Sequence, residues 1–171
     1  SDGGVHSRLD QILGVVDGAV KRGCKRIRFH VLLDGRDVPD GSALHYIDAL
    51  DAHCAPLDVD ARIASGGGRM FVTMDRYESD WRIVERGWRA HVLGEVDAST
   101  GGGSFPSARA AIEKFRADQP GISDQNLPPF VVVDASGKPA GTIEDGDAVL
   151  FANFRGDRAI EISRAFEAPA N

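Results

Sequence analysis

Sulfur ligands are scarce in this sequence. Cys24 and Cys54 stand far apart, in no CxxC or Cys/His spacing. That argues against a zinc ribbon or a disulfide framework and fits reduced thiols in a cytoplasmic protein. Long apolar runs are missing too. The longest, FVVV and AVLFA, fall far short of the roughly 18 residues a membrane span needs. No basic, then apolar, then small-residue leader opens the chain, so export is not expected. Positive charge is not in excess. A net charge of −6 argues against a general nucleic-acid binder, which needs a basic face to displace phosphate counterions. No GxGxxG follows a strand, and the glycine-rich GGGR lacks the GK[ST] of a phosphate-binding P-loop.

What is present suits one soluble domain: 171 residues, 42% hydrophobic and 27% charged. Among the 20 basic residues 16 are arginine and 4 are lysine. Arginine offers a planar fork that grips carboxylate or phosphate at two points, whereas lysine is a point charge. A codon bias towards Arg, Ala and Gly accounts for the total. It does not account for where particular arginines stand.

Hydrophobic spacing orders the chain. Leu9, Ile12, Leu13, Val16, Ala19 and Val20 recur with helical period after Ser7, a natural N-cap, and Gly23 closes that helix. RIRFHVLL (26–33) reads as a strand entering the turn DGRDVPDGS. Ser42 is placed to cap a helix through about Cys54 that buries Leu44, Ile47 and Leu50. DARIAS (60–65) reads as a short strand entering a glycine loop, and 80–94 as a helix carrying Trp81, Val84 and Trp88 on one face. DASTGGGS (97–104) reads as a flexible connection and 106–118 as a helix. FVVV, a turn at SGK and the residues after it read as a hairpin. AVLFANF (148–154) reads as a buried strand and 156–166 as a closing helix. Strands alternating with helices, plus one hairpin, predict a single α/β domain. It has three layers, a mostly parallel mixed sheet and helices on both faces.

Four turns carry the polar residues: GGVHS (3–7), DGRD (34–37), GGGRMFVTMDR (66–76) and NFRGDR (153–158). Ligands of open α/β sheets sit beyond the carboxyl ends of the strands. Glycine lets backbone approach an anion, and a helix N-terminus supplies free N–H groups. Arg36, Arg69, Arg76, Arg155 and Arg158 all fall in or beside these turns, as a small and highly charged substrate would require. Taken singly, each motif has a plainer reading. His6 reads as a ring bonded to backbone, DGRD as an acidic turn, and Arg155 with Arg158 as a salt-bridged helix start around Asp157. His45, His53 and His91 lie on predicted helices or their ends without ligand spacing, and read as surface or half-buried residues.

SDGGVHS, LLDGRDVPDGSA, GGGRMFVTMDRYESDW and FANFRGDR, in this order, resemble the cofactor-independent (2,3-bisphosphoglycerate-independent) phosphoglycerate mutases. GGGRM–VTMDRY with the following RGW–A–VLGE looks most like the plant and trypanosomatid branch. The resemblance covers nearly the whole chain. It implies an isomerase that interconverts 3-phosphoglycerate and 2-phosphoglycerate through a phosphoserine, in glycolysis and gluconeogenesis. The family has two domains. A phosphatase-like one carries the nucleophilic serine and two divalent ions, usually manganese; a second, inserted in it, binds the glycerate. This chain resembles only the inserted domain, is expected to bind no metal itself, and is expected to be inactive alone. The opening SDGG resembles a strand-to-helix turn separated from its strand, so an exposed sheet edge and an apolar groove are expected. By the same resemblance His6 meets the phosphoryl group, and Arg36 and Asp37 face the glycerate, with Asp37 its acid/base. Arg69, Arg76, Arg155 and Arg158 clamp carboxylate and phosphate. The partners implied are phosphoglycerate and the phosphatase-like domain, with no nucleic acid and no membrane. The alternative is a stand-alone module that binds a small phosphorylated acid and catalyses nothing.

Overall fold

The computed structural model describes residues 1–168. Its first helix, α1 (Leu9–Lys21), begins one residue later than a Ser7 cap allows. Arg8 holds the N-cap position without a side-chain bond, and the Leu9 N–H is instead taken by the Ser1 carbonyl at 2.8 Å. The opening segment therefore folds back onto the helix it precedes. Gly23, at φ 92°, ends α1 as expected, and the Cys24 N–H returns to the Ala19 carbonyl at 3.1 Å.

Strand β1 (Arg26–Leu33) runs parallel to β2 (Asp60–Gly68), and the short strands β3 (Gly103–Phe105) and β4 (Phe130–Val132) complete the sheet. The order is β1-β2-β4-β3. β2 meets β4 antiparallel and β4 meets β3 parallel, so the sheet is mixed. A register shift between Phe29 and His30 makes His30 face Ser65 across the parallel pair.

Helices α2 (Ala43–Cys54) and α4 (Ala108–Asp118) cover one face. Ile47, Leu50, Ile112 and Phe115 close over Leu33, Ile63, Phe130 and Val132 in one buried core. α4 starts on a true cap, with Ser107 accepting the Ala110 N–H at 3.1 Å. α2 is tied at its start by Asp124, whose carboxylate takes the Ala43 N–H at 2.9 Å and pairs with Arg116 at 2.6 Å. Val131 and Ser65 point to the other face, as the two-residue period of a strand requires. There they meet a π-helical turn (Arg89–Leu93) that extends α3 (Trp81–Trp88) and ends at Gly94, φ 67°. Helix α5 (Ile160–Glu167) closes the described chain against α3, with Phe166 on Trp88.

The structure corrects several expectations. The three glycines 66–68 are not a loop. They are the last residues of β2, packed so closely that a Cβ at Gly68 would lie 2.4 Å from the Gln125 backbone and one at Gly66 2.6 Å from the Val31 carbonyl oxygen. The connection 97–104 contains a 3-10 turn and the start of β3. The hairpin after β4 shrinks to one bridge, between Val133 and Pro139. AVLFANF forms no strand and is not buried: Val149, Leu150, Phe151 and Phe154 are all exposed. A strand needs a neighbour to take its backbone N–H and C=O groups in a repeating ladder, and among the described residues this segment makes only one backbone bond to another segment, from the Phe154 N–H to the His6 carbonyl. It flanks instead a cavity of about 930 Å³ whose walls include Ile12 of α1, Ile27, Phe29 and Val31 of β1, and Val149 and Phe151. Among the described residues β1 pairs with β2 on one side only, and residues along β1 line this cavity.

Candidate functional site

Parallel β1 and β2 deliver their carboxyl ends side by side, and the site grows from them. β1 runs into Asp34, whose Oδ1 accepts the N–H groups of Arg36 at 3.0 Å and Asp37 at 3.1 Å while Oδ2 accepts from the Ser1 hydroxyl at 2.8 Å. This side-chain turn, with Gly35 at φ 123°, fixes DGRD rigidly. Burial works to raise the Asp34 pKa, but these donors and nearby Arg69 outweigh it and keep the carboxyl below its ordinary range.

β2 runs directly into Arg69, whose N–H bonds to the Leu33 carbonyl at 3.0 Å. Arg69 is only 6% exposed, and its guanidinium reaches Asp34 at 3.2 Å and Asp37 still more closely. Its Nε is buried with no hydrogen-bond partner among the described residues. Such an orphaned donor is costly unless something else engages it.

His6 lies on the same guanidinium, Nε2 to Nη2 at 3.4 Å, and its Nδ1 is 3.1 Å from the Asn153 side-chain oxygen. A guanidinium can only donate, so Nε2 is the accepting nitrogen and Nδ1 carries the proton. Burial, then Arg69 and Arg155, push the His6 pKa below its ordinary value against the opposing bond to Asn153. The Phe154 N–H to the His6 carbonyl, 2.8 Å, joins the first motif to the last.

The remaining cations converge around Asp157. Arg76 pairs with it at 3.3 Å and Arg155 at 2.8 Å. Arg158 donates to the Met74 carbonyl at 2.9 Å, and burial followed by the nearby charges of Arg69 and Arg76 lowers its pKa. Burial opposes the ionised form of Asp157, yet Arg155 and Arg76 hold it below the ordinary carboxylate range. Four arginines thus face three carboxylates, Asp34, Asp37 and Asp157. The cluster holds one more arginine than these three carboxylates.

Of the residues singled out from sequence, the structure brings His6, Asp37, Arg69, Arg76, Arg155 and Arg158 into one neighbourhood. Arg36 stands apart: it is exposed and its side chain makes no hydrogen bond or ion pair among the described residues. Asp34, Asn153 and Asp157 are the polar residues that sequence reasoning left without a site role. Asp34 and Asn153 lie inside the motifs already quoted, where only the fold reveals which carboxylate or amide orients its neighbours. His91, read as surface or half-buried, is buried; His53 is half-buried on Asp17 at 2.8 Å. No helix in the described residues is long and apolar enough to cross a membrane, and no three His, Cys, Asp or Glu side chains there converge as a metal site would need.

Comparison with known proteins gives the family. The family model described as BPG-independent PGAM N-terminus matches residues 1–171. The chain is 61% identical over 170 residues to the 2,3-bisphosphoglycerate-independent phosphoglycerate mutase of Trypanosoma brucei brucei, covering 98% of this chain and 30% of that protein. It is 57% identical over 170 residues to the enzyme of the same name from Prunus dulcis, covering 98% of this chain and 34% of that one. A crystal structure of Leishmania mexicana phosphoglycerate mutase at low cobalt concentration superposes with a TM-score of 0.94 at 59% identity, over all of this chain and 31% of that one. The chain therefore spans about a third of the length of these relatives, and it belongs to the BPG-independent phosphoglycerate mutase family as the part its family model calls the N-terminus.

Proposed function

We propose that this chain is the substrate-binding part of a cytoplasmic phosphoglycerate mutase of glycolysis and gluconeogenesis. It holds 3- or 2-phosphoglycerate while a phosphatase-like domain of the same polypeptide moves the phosphoryl group through a serine. Two divalent ions, manganese by family resemblance, belong to that other domain, where they supply charge stabilisation for phosphoryl transfer.

The observation that carries this reading is Arg69. A buried guanidinium with an orphaned Nε, pressed against Asp37 and beside His6, is a cation awaiting an anion. In the ligand-free chain Asp37 and Asp157 neutralise the arginines in advance, which limits the cost of burying them. A phosphoglycerate carboxylate or phosphate would replace these carboxylates on Arg69, Arg76, Arg155 and Arg158. It would thereby release Asp37 to take a proton from one glycerate hydroxyl and return it to the other. His6, neutral in the free chain, would accept a proton or a hydrogen bond from the phosphoryl group through Nε2. Arg36, with no internal partner, is free to swing onto the glycerate. The arginines position the substrate and offset its charge, the two contributions such a clamp makes to phosphoryl transfer.

Calorimetric titration with 3-phosphoglycerate tests the reading. Weak, salt-sensitive binding that disappears in Arg69→Ala supports it. Binding that survives Arg69→Ala and is insensitive to salt contradicts it.

A further inference from the structure

Thr73 lies midway along the segment from Arg69 to Arg76, and its backbone is left-handed, φ 71°. A β-branched residue rarely adopts that conformation and keeps it only where its surroundings over-determine it. Here they do. The Thr73 N–H bonds to the Ile83 carbonyl at 2.8 Å and its carbonyl accepts the Asp75 N–H at 3.1 Å. Gly87 leaves room for it, since a Cβ there would fall 2.0 Å from the Thr73 hydroxyl. The hydroxyl itself meets His91 Nε2 at 2.9 Å.

His91 is anchored in turn. Its Nδ1 is 2.7 Å from the Ser65 hydroxyl, which is 2.7 Å from His30 Nδ1. Thr73, His91 and Ser65 are all buried, at 2%, 7% and 0% exposure. The line runs without a break from β1 through β2 and the π-helical turn to the arginine segment. The register shift opposite His30 and the π turn, which carries one extra residue per turn, are the two backbone irregularities that make it possible. Burial holds the His30 pKa down to about 4 and His91 down to about 3, with Arg28 adding to the first and His30 to the second. Both rings are therefore neutral and able to donate at one nitrogen while accepting at the other. One residue beyond Thr73, the Met74 carbonyl holds Arg158, and three beyond it stands Arg76.

We propose that His91 is a positioning residue: anchored to the sheet through Ser65 and His30, its imidazole locks Thr73 in the left-handed conformation and so sets Arg76 and Arg158 in the anion clamp. The inference rests on the reading of that cluster as a phosphoglycerate site, but the lock itself is a property of the loop and can be measured without ligand.

The test uses the full-length mutase containing this chain, with His91→Leu, His91→Gln and Thr73→Gly. Amide hydrogen exchange reads the lock directly. In His91→Leu the Thr73 and Asp75 amides exchange at least tenfold faster while those of β2 keep their rates, and His91→Gln, whose amide can still reach the Thr73 hydroxyl, restores much of the protection. Phosphoglycerate KM rises at least fivefold in His91→Leu, and the same substitution made in Thr73→Gly, where glycine needs no lock, adds less than twofold. Unchanged loop exchange in His91→Leu overturns the proposal, as does a fully additive double variant. If His91→Leu does not fold, His91→Gln and Thr73→Gly still decide. His91→Gln must then change Asp75 exchange relative to the wild type by clearly more in the Thr73 background than in the Thr73→Gly background; equal changes in both overturn the proposal. A wild-type protein that neither binds nor turns over phosphoglycerate, yet shows the exchange pattern, refutes the function and leaves the lock standing.

Discussion

Arg69 and Asp37 form an ion pair in which the side chains are only 8% and 15% exposed, and one oxygen of that carboxylate occupies a donor that an incoming anion would need. The two residues come from different strand ends, 32 positions apart, and meet because β1 and β2 run parallel and in register to Leu33 and Gly68. On the proposed reading the pair would act as an electrostatic gate: the cation would open to substrate when the carboxylate lets go, and Asp37 would then be left unpaired beside the bound hydroxyls.

Replacing Asp37 by Asn is predicted to separate binding from chemistry. The substitution removes the carboxylate that competes for Arg69, so phosphoglycerate affinity holds or rises. Turnover of the full-length enzyme falls by two orders of magnitude or more, in the range typical for loss of a general acid/base, about 10²–10⁴. Calorimetry and steady-state kinetics on the same protein check both halves. Unimpaired turnover would make Asp37 a turn residue.

Arg155→Ala is predicted to weaken binding by a factor of about ten or more, since a charge-assisted hydrogen bond contributes roughly 1.5–3 kcal/mol. Arg155 is 45% exposed and held by Asp157 alone, so its removal should leave the melting temperature nearly unchanged. A large loss of stability with intact binding would contradict this assignment.

His6 makes binding depend on pH. Its pKa in the free chain is below the ordinary histidine value, chiefly through burial and Arg69, and a bound phosphate would raise it. His6 then takes up a proton as the ligand binds. Affinity is greatest below the free-state pKa and is lost as pH rises through the bound-state pKa. Titrations of the wild type and His6→Gln across this range, compared with each other, remove the phosphate's own titration. Parallel curves would show that His6 does not couple to the ligand.

Gly68→Ala should destabilise the fold by about 1–3 kcal/mol, because the new methyl would meet Gln125 backbone at 2.4 Å and backbone cannot yield as a side-chain tip does. Urea unfolding measures the loss. A neutral effect would show that the β2 end is looser than its packing indicates.

The unpaired β1 edge and the apolar cavity beside it predict that the chain 1–171 on its own associates or binds an apolar dye. Sedimentation over a range of concentrations, with dye fluorescence, gives the answer. A monomer that stays dark to the dye at high concentration would refute it.

The legibility of the fold varied with the locality of its signals. β1 and α2 were read at their observed bounds because an apolar run and helical spacing are local, although Ser42, expected to cap α2, makes no side-chain cap bond and donates its hydroxyl to the Pro39 carbonyl instead. Glycines 66–68 misled, since the same residue that loosens a loop also permits the tightest packing, and only the neighbours Val31 and Gln125 show which applies here. AVLFANF misled for the opposite reason. Its residues favour a strand, but pairing is a tertiary property and no described strand lies beside it. The arginine cluster was legible as a set of motifs, and its geometry was not. Asp34 and Asn153 orient Arg69 and His6 through bonds that no spacing encodes. His91 was the least legible: a lone histidine in a helical pattern gives no sign that a π turn will carry it inward onto Thr73.

On the proposed reading Arg69, Arg76, Arg155 and Arg158 receive the anion. The most direct measurement follows the arginine Nε–H resonances of the chain during titration with 3-phosphoglycerate, because it registers even weak binding residue by residue. The account predicts saturable shifts at Arg69, Arg76, Arg155 and Arg158 together, reversed by salt, with Arg82 and Arg109, paired to Asp80 and Asp48 elsewhere on the surface, unmoved. Shifts at Arg82 or Arg109 with Arg69 silent, or no saturable shift at any of them, would contradict it.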